Sequence, residues 1–196
     1  MLRYFIFFLF FSVFAYGQIK FGATAGLNIS RFNNKYHATN GSYFNFNSSG
    51  LRIGLFSELP VFKNIVFSPK LIYNQIGDRE KTNLEFSNGF YTNNIDYKLD
   101  YLSIPLNLRF FKKLYVEAGP QFGFLLNQTP LNEDIGETDS NIDFGGNLEI
   151  GYAFSDFRIS VNAYHGVVDV FELSSFNRDY QLRNFSLSLN FGYIFY

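Results

Sequence analysis

The sequence predicts an all-β protein, an eight-stranded antiparallel up-and-down transmembrane β-barrel with four long extracellular loops and short periplasmic turns. Three observations lead to this prediction. Apolar and polar residues alternate along many segments whose length suits a strand that crosses a bilayer, about ten residues. Long and short polar connections alternate between these segments, as in outer-membrane barrels. Aromatic residues, which favour strands, make up 21% of the chain.

Composition excludes several other classes of protein. The mean hydropathy of -0.04 is too low for a bundle of membrane-spanning helices, each of which needs about 20 consecutive apolar residues. The net charge of -1 gives no electrostatic footprint for nucleic acid. The chain has no cysteine, so disulfides and thiolate metal sites are excluded, and we expect no cofactor. The length of 196 residues suits one domain.

The first residues resemble a secretory signal peptide. Arg3 supplies a positive start, residues 4–14 are apolar, and Ala15 and Gly17 place small residues before a cut at Gln18. A membrane-anchoring helix is the alternative, but the apolar run is short for one. We therefore expect residues 1–17 to be removed and residues 18–196 to form the barrel.

Eight segments show the period-two alternation of a strand. They cover residues 19–29, 50–59, 65–76, 97–110, 114–124, 142–154, 157–164 and 184–196. Pro69 interrupts the third segment, and because proline cannot donate to the ladder we expect a bulge there. Tyr97 and Leu99 are out of phase with the apolar face that begins at Leu102, which indicates a bulge or a part of the strand above the membrane.

The last segment is the clearest strand. One of its faces is wholly apolar and should contact lipid: Phe185, Leu187, Leu189, Phe191, Tyr193 and Phe195. Ser186, Ser188 and Asn190 lie on the opposite face. We expect this strand to close the barrel by pairing antiparallel with residues 19–29.

The polar faces of the strands carry charged side chains together with many glycines. The charged residues expected to line the lumen are Lys20, Arg52, Glu58, Lys70, Arg109, Glu117, Asp143, Glu149 and Arg158. An eight-stranded barrel has an interior that side chains just fill, and buried charges must be paired. A packed network of ion pairs, rather than an open pore, is therefore predicted. A soluble lipocalin-like carrier is the alternative, and it would turn the apolar faces inward.

The predicted loops are the main candidates for recognition. The first two contain aromatic residues amid asparagine and serine, a composition that suits adaptable binding surfaces: Tyr36, Tyr43, Phe44, Phe46, Phe86, Phe90 and Tyr91. The same aromatic residues could equally fold onto one another as a cap. The acidic run at residues 133–139 lacks the spacing of a known calcium loop. His165, with Ser160 and Asp169, reproduces no nucleophile–base arrangement, so a lipid-modifying enzyme is the lesser alternative.

Several sequence pieces, taken in order, resemble a known family. They are Gly26-Leu27-Asn28-Ile29-Ser30, Gly54-Leu55-Phe56 with Glu58-Leu59-Pro60, Tyr101-Leu102-Ser103-Ile104-Pro105-Leu106, Glu117-Ala118-Gly119-Pro120 and the end of the chain from Asn184. In this order and spacing the chain resembles the PorT-like outer-membrane β-barrel family of Bacteroidota. The resemblance implies that Pro69 and Pro105 are ordinary strand features, and it implies a role as an accessory of protein secretion or gliding-type motility.

Together these observations predict a non-enzymatic outer-membrane protein with a structural, surface-recognition or accessory role in the cell envelope. The expected partners are outer-membrane lipid, the barrel-assembly machinery and envelope secretion proteins, with no nucleic acid. We expect a monomer.

Overall fold

The structure, a computed structural model, describes residues 19–34, 46, 48–86, 89–130, 138–175 and 178–195. The predicted signal peptide at residues 1–17 lies outside the described residues. The described residues form nine strands: β1 (Lys20–Asn34), β2 (Ser48–Phe62), β3 (Ile65–Phe86), β4 (Gly89–Phe110), β5 (Leu114–Pro130), β6 (Ile142–Phe154), β7 (Phe157–Gly166), β8 (Phe171–Ser175) and β9 (Arg178–Ile194). No helix within them is long and apolar enough to cross a membrane.

The sheet closes on itself. Each of the strands β1 to β6 pairs antiparallel with the next, and β9 pairs with both β7 and β1. The five-residue strand β8 lies on the same edge of β9 as β7 and continues that edge where β7 ends. The wall of the barrel therefore has the width of eight strands, which confirms the predicted fold class. The predicted seam is confirmed as well, with Leu27 opposite Leu189.

The connections at one end are short, as expected. Lys63 and Asn64 join β2 to β3, residues 111–113 join β4 to β5, and Ser155 and Asp156 join β6 to β7. Phe111 and Ser155 have φ angles of 67° and 50°, which non-glycine residues seldom adopt. Both ends of the described chain lie at this end of the barrel, since Phe195 donates a backbone hydrogen bond to Phe21 at 3.0 Å.

The connections at the other end differ from the prediction. Residues 77–96, expected to be a long loop, continue β3 and β4 as a ladder that reaches the pair Phe86–Gly89. Strand β5 likewise extends to Pro130 instead of ending at residue 124, and most of the predicted loop at 165–183 is strand. Polar side chains do not prevent pairing here because each backbone finds a partner in the facing strand.

The bulge predicted at Pro69 is wrong. Ser68–Asn107, Pro69–Leu106 and Ile72–Ser103 keep one register along β3 and β4. Residue pairs are therefore missing beside the proline, but the register of β3 against β4 does not change. A shift does occur between β4 and β5, where Asp100 faces Asn127 and Tyr101 faces Leu125. That shift leaves an extra residue, Leu126, in β5 and not in β4.

Several glycines on the inner face lie where a side chain would collide with the neighbouring strand. A Cβ at Gly119 would lie 2.1 Å from the carbonyl oxygen of Leu106, and one at Gly54 would lie 2.2 Å from that of Leu71. Both obstacles are backbone atoms of the neighbouring strand. At these positions only a residue without a Cβ fits the close approach.

Candidate functional site

The interior of the barrel consists of three layers of different chemistry. Nearest the short turns lies a cluster of ion pairs, which we call the charge cluster: Glu58, Lys70, Arg109, Glu117, Glu149 and Arg158. Asparagine and serine side chains fill the middle. At the far end lies an apolar and aromatic cluster, which we call the upper core: Phe32, Ile76, Tyr97, Leu99, Tyr101, Tyr164, Val170, Phe171 and Leu182.

Glu117 is the centre of the charge cluster. It is fully buried, with 0% exposure, and bonds Lys70 at 2.8 Å and Arg109 at 2.5 Å. Lys70 also bonds Glu149 at 2.7 Å, and Arg109 bonds Glu58 at 2.6 Å. Two cations thus link three carboxylates, which is the pairing that buried charges require.

Strand register explains why Lys70 is needed. Glu117 on β5 lies directly opposite Glu149 on β6, and like charges in facing positions repel. The ammonium of Lys70 reaches both carboxylates from β3 and removes that conflict. Arg109, on β4, lies opposite Glu117. Its guanidinium stacks over the ring of Tyr115 at 4.4 Å, a cation–π contact.

Three of the predicted lumen residues do not join this cluster. Lys20 lies opposite Glu58 at the start of β1, but it is exposed there and forms no ion pair with the described residues of the cluster. Arg52 is 1% exposed, but its Nη1 and Nη2 have no hydrogen-bond partner among the described residues. Asp143 is buried and accepts a 2.8 Å hydrogen bond from Asn184 rather than from a basic residue. Arg158 is part of the cluster, but its Nε lies 3.4 Å from Glu58.

The middle layer is a chain of amides. Asn162 donates to Asn147 at 2.5 Å, Asn147 to Asn107 at 3.1 Å, and Asn107 to Glu117 at 3.2 Å. These bonds run through the lumen from β7 to β5 and end on the charge cluster. A buried network of this kind fixes the side chains in one arrangement.

The upper core was not predicted from the sequence. Tyr97, Leu99 and Tyr101 continue the inward face of Ser103 and Asn107 without a bulge in β4, so they point into the barrel. Phe171 packs its ring 5.1 Å from Tyr97 and 5.6 Å from Phe32. The phase change noted at Tyr97 and Leu99 was the available signal. It marks the part of the barrel whose interior is apolar.

The lumen leaves little space. One cavity of about 10 Å³, lined by residues of the charge cluster with Phe56 and Thr24, has room for about one water molecule. Ion pairs close the barrel at one end and aromatic rings close it at the other. On the described walls, buried side chains of the charge cluster and of the upper core thus occupy the lumen at its two ends.

The outer surface of the wall is apolar. On the closing strand, Leu189, Phe191, Tyr193 and Phe195 are 46–58% exposed, whereas Ser188 and Asn190 are 4% exposed. Phe185 and Leu187 face the same outer side but are only half-buried. A soluble ligand-carrying barrel would show the opposite arrangement, so the lipocalin-like alternative is excluded.

The predicted loop aromatics are placed only in part. Tyr36, Tyr43 and Phe44 lie outside the described residues. Phe46 stacks on Phe185 at 5.8 Å, against the outside of the barrel. Phe86, Phe90 and Tyr91 belong to the β3–β4 ladder rather than to a loop. The structure describes their backbone but not their side chains.

The enzyme alternative finds no support in the geometry. His165 is exposed on the outside of β7, whereas Ser160 and Tyr164 are buried in the lumen. The barrel wall therefore separates the histidine from the hydroxyl groups it would have to activate. Within the described residues no group of three or more histidine or acidic side chains could hold a metal ion. The acidic run at 133–137 lies outside the described part of the chain.

A closed antiparallel barrel with an apolar outer surface and a polar, packed interior defines the class of small outer-membrane barrels. The chain belongs to the family described as outer membrane protein beta-barrel domain, whose model matches residues 14–172. Outer-membrane location follows from this membership. The narrower PorT-like assignment stays a proposal.

Comparison with solved structures gives the same fold. Neisserial surface protein A (NspA) matches with a TM-score of 0.57 and 10% identity over 91% of this chain and 100% of that chain. OprG from Pseudomonas aeruginosa matches with a TM-score of 0.46 and 11% identity over 91% and 95%, and Ail of Yersinia pestis with 0.46 and 14% over 91% and 100%. No curated protein matches the sequence.

Proposed function

We propose that this protein is a non-enzymatic surface protein of the outer membrane, in which a packed barrel holds recognition elements above the bilayer. The observation that carries the proposal is the β3–β4 hairpin. Asn74 is the last residue of β3 that pairs with β2, and Tyr97 is the first residue of β4 that pairs with β5. Among the residues that the structure describes, 79–86 and 89–96 therefore pair with each other alone and extend beyond the neighbouring strands.

The projecting part of this hairpin is long. At about 3.3 Å per residue, each arm beyond Asp78 and Tyr97 extends about 26 Å. A two-stranded ribbon of this length places its tip well clear of the lipid headgroups. The packed lumen below it supports the same role, because a barrel that transports nothing is useful as an anchor. Neisserial surface protein A, which shares the fold, is named as a surface protein.

An accessory role in protein secretion or gliding-type motility is the specific form of this function that the PorT-like resemblance favours. In that case the hairpin would contact envelope secretion proteins rather than a molecule outside the cell. The barrel itself would serve the same purpose in both forms.

The proposal is tested by shortening the hairpin. A variant in which residues 80–95 are replaced by a two-residue turn keeps every strand pair of the membrane-embedded wall. We expect it to fold, as shown by heat-modifiable migration on a gel, and to produce the same secretion, motility or adhesion defect as deletion of the whole gene. A shortened protein that folds and retains full function would contradict the proposal.

A conductance measurement on the unaltered protein addresses transport. Folded protein in planar bilayers should show no single-channel conductance, because ion pairs and aromatic rings fill the lumen. Steady channels in the unaltered protein would show that the lumen opens, and would replace the anchoring role with a transport role.

A further inference from the structure

We propose that the outer face of the β1–β9–β7 seam binds a phosphate group on the headgroup of an outer-leaflet lipid, and that Arg31 is the residue that contacts it. This inference rests on the outer-membrane location and not on the recognition role of the hairpin. It concerns a surface that the packed lumen does not use.

Strand register arranges the outer side chains of these three strands in rows. From the short turns upward the rows are Ala23, Tyr193 and Phe157; Ala25, Phe191 and Ile159; Leu27, Leu189 and Val161; then Ile29, Leu187 and Ala163. All of these are apolar. The next row consists of Arg31, Phe185 and His165. The surface thus changes from wholly apolar to basic and aromatic within one row.

The height of that change matches the edge of a membrane. From Phe21 to Arg31 the strand extends about 33 Å at 3.3 Å per residue, or about 25 Å along the membrane normal at a tilt of about 40°. Outer-membrane barrels carry an apolar band about 25 Å tall. Arg31 therefore lies at the level of the outer headgroups, where lipid phosphates are located.

Aromatic rings hold the Arg31 guanidinium in place. Its carbon lies 5.6 Å from the ring centre of Phe185 and 6.0 Å from that of Phe46, and these two rings stack on each other. His165 adds an edge contact to Phe185 at 6.0 Å. Rings on this side restrict the guanidinium without neutralising it, which preorganises a binding group.

Arg31 is also available. Within the described part of the chain no carboxylate pairs with it, and its Nε is buried without a hydrogen-bond acceptor, so a phosphate would be bound through the two Nη groups. The nearby Arg183 differs, because it is paired with Asp169 at 2.5 Å. A guanidinium presents a planar fork of donors that matches phosphate oxygens, so phosphate is the ligand class this site fits.

The opposite side of the barrel lacks this character. There the corresponding outer row contains Gln75, Asp100 and Asn127, and the amides of Gln75 and Asn127 donate to the Asp100 carboxylate at 3.0 and 3.5 Å. A carboxylate at that level repels phosphate. At this level the charge difference favours the β1–β9–β7 seam over the opposite face for the proposed lipid.

The test compares two lipids on folded protein in detergent. A glycolipid that carries headgroup phosphates and its phosphate-free counterpart are titrated separately, and binding is measured by native mass spectrometry. We expect the phosphorylated lipid to bind about tenfold more tightly, as for one charge-assisted bidentate contact. We expect Arg31→Gln to remove that preference and Arg31→Lys to restore part of it. The matched control is Lys113→Gln, which removes a cation lying 5.6 Å over the Tyr152 ring near the short turns.

Three results would overturn the proposal. Equal binding of the two lipids by the unaltered protein would exclude phosphate recognition, and this result does not depend on any variant folding. An unchanged preference in Arg31→Gln, or an equal loss in Lys113→Gln, would exclude Arg31 as the contact. Full displacement of the lipid by an equimolar amount of inorganic phosphate would show a site for the free ion rather than for a lipid.

Discussion

Replacement of Glu117 by glutamine should destabilise the barrel more than any other conservative change in the lumen. The substitution keeps the shape of the side chain but removes one of the three carboxylates of the charge cluster. Lys70 and Arg109 would then share only Glu149 and Glu58, and the cluster would carry one excess positive charge. Breaking a buried pair in this way costs about 3–5 kcal/mol of unfolding free energy.

A compensating variant separates charge balance from packing. Lys70→Met together with Glu117→Gln removes one charge of each sign and leaves the Arg109–Glu58 pair intact. Because the double variant restores the charge balance but leaves buried Glu149 without its Lys70 partner, it should recover part of the loss. The difference between the double variant and the sum of the single variants gives a coupling energy, which should exceed about 2 kcal/mol for groups in direct contact.

The assay is urea unfolding in detergent or lipid vesicles. The chain has no tryptophan, so the folded fraction is followed by migration of unheated samples on a gel. Asp156→Asn, in an exposed turn, serves as the control and should change the free energy by no more than about 0.5 kcal/mol. A Glu117→Gln protein as stable as the unaltered protein, or a double variant less stable than both single variants, would refute the reasoning.

Further variants test the wall and its closure. Gly119→Ala should prevent folding because its Cβ would meet the Leu106 carbonyl oxygen, whereas Gly146→Ala, where a Cβ meets nothing within 4 Å, should fold normally on a gel; equal behaviour would contradict the inner-face assignment. Leu189→Arg should cost about 2–4 kcal/mol of unfolding free energy in vesicles, and Leu114→Arg near the short turns about 0–1 kcal/mol. Equal costs for the two variants would contradict contact between the outer face and lipid. Removal of the chain from residue 185 onward should abolish heat-modifiable migration, because both β1 and β7 lose their partner; a truncated protein that reaches the membrane folded would count against closure by β9.

Period-two alternation was sufficient to predict the wall of the barrel. It depends on a local property, the alternation of side chains between the two faces of a strand, and it gave the seam between residues 19–29 and the closing strand. The polar faces also predicted that Lys70, Arg109 and Glu117 line the lumen. The sequence could not show which charges touch, because that depends on shear between strands distant in the chain.

The extracellular half was harder to predict for a physical reason. Residues 77–96 are mostly polar and show no sustained period-two alternation, so no hydrophobic pattern distinguishes a projecting ribbon from a loop. The period-two pattern predicts that apolar residues face outward, but Tyr97 and Leu99 face inward. The interior of the barrel is apolar at their level, like that of a soluble protein. Arg31 was overlooked because its meaning depends on Phe185 and His165, which are neighbours only across strands.

Cross-linking of the seam tests the closed barrel most directly. The chain has no native cysteine, so Leu27→Cys and Leu189→Cys introduce a single pair, at residues that face each other across β1 and β9. Facing residues of an antiparallel pair have Cα atoms about 4.5–5.5 Å apart, within the range that a disulfide spans. Mild oxidation in outer membranes should give an internal disulfide, seen as a reductant-sensitive shift of the denatured protein on a gel. Leu27→Cys with Phe191→Cys, out of register, should give little. Absence of the cross-link in the first pair, or equal cross-linking in both, would contradict the closed barrel.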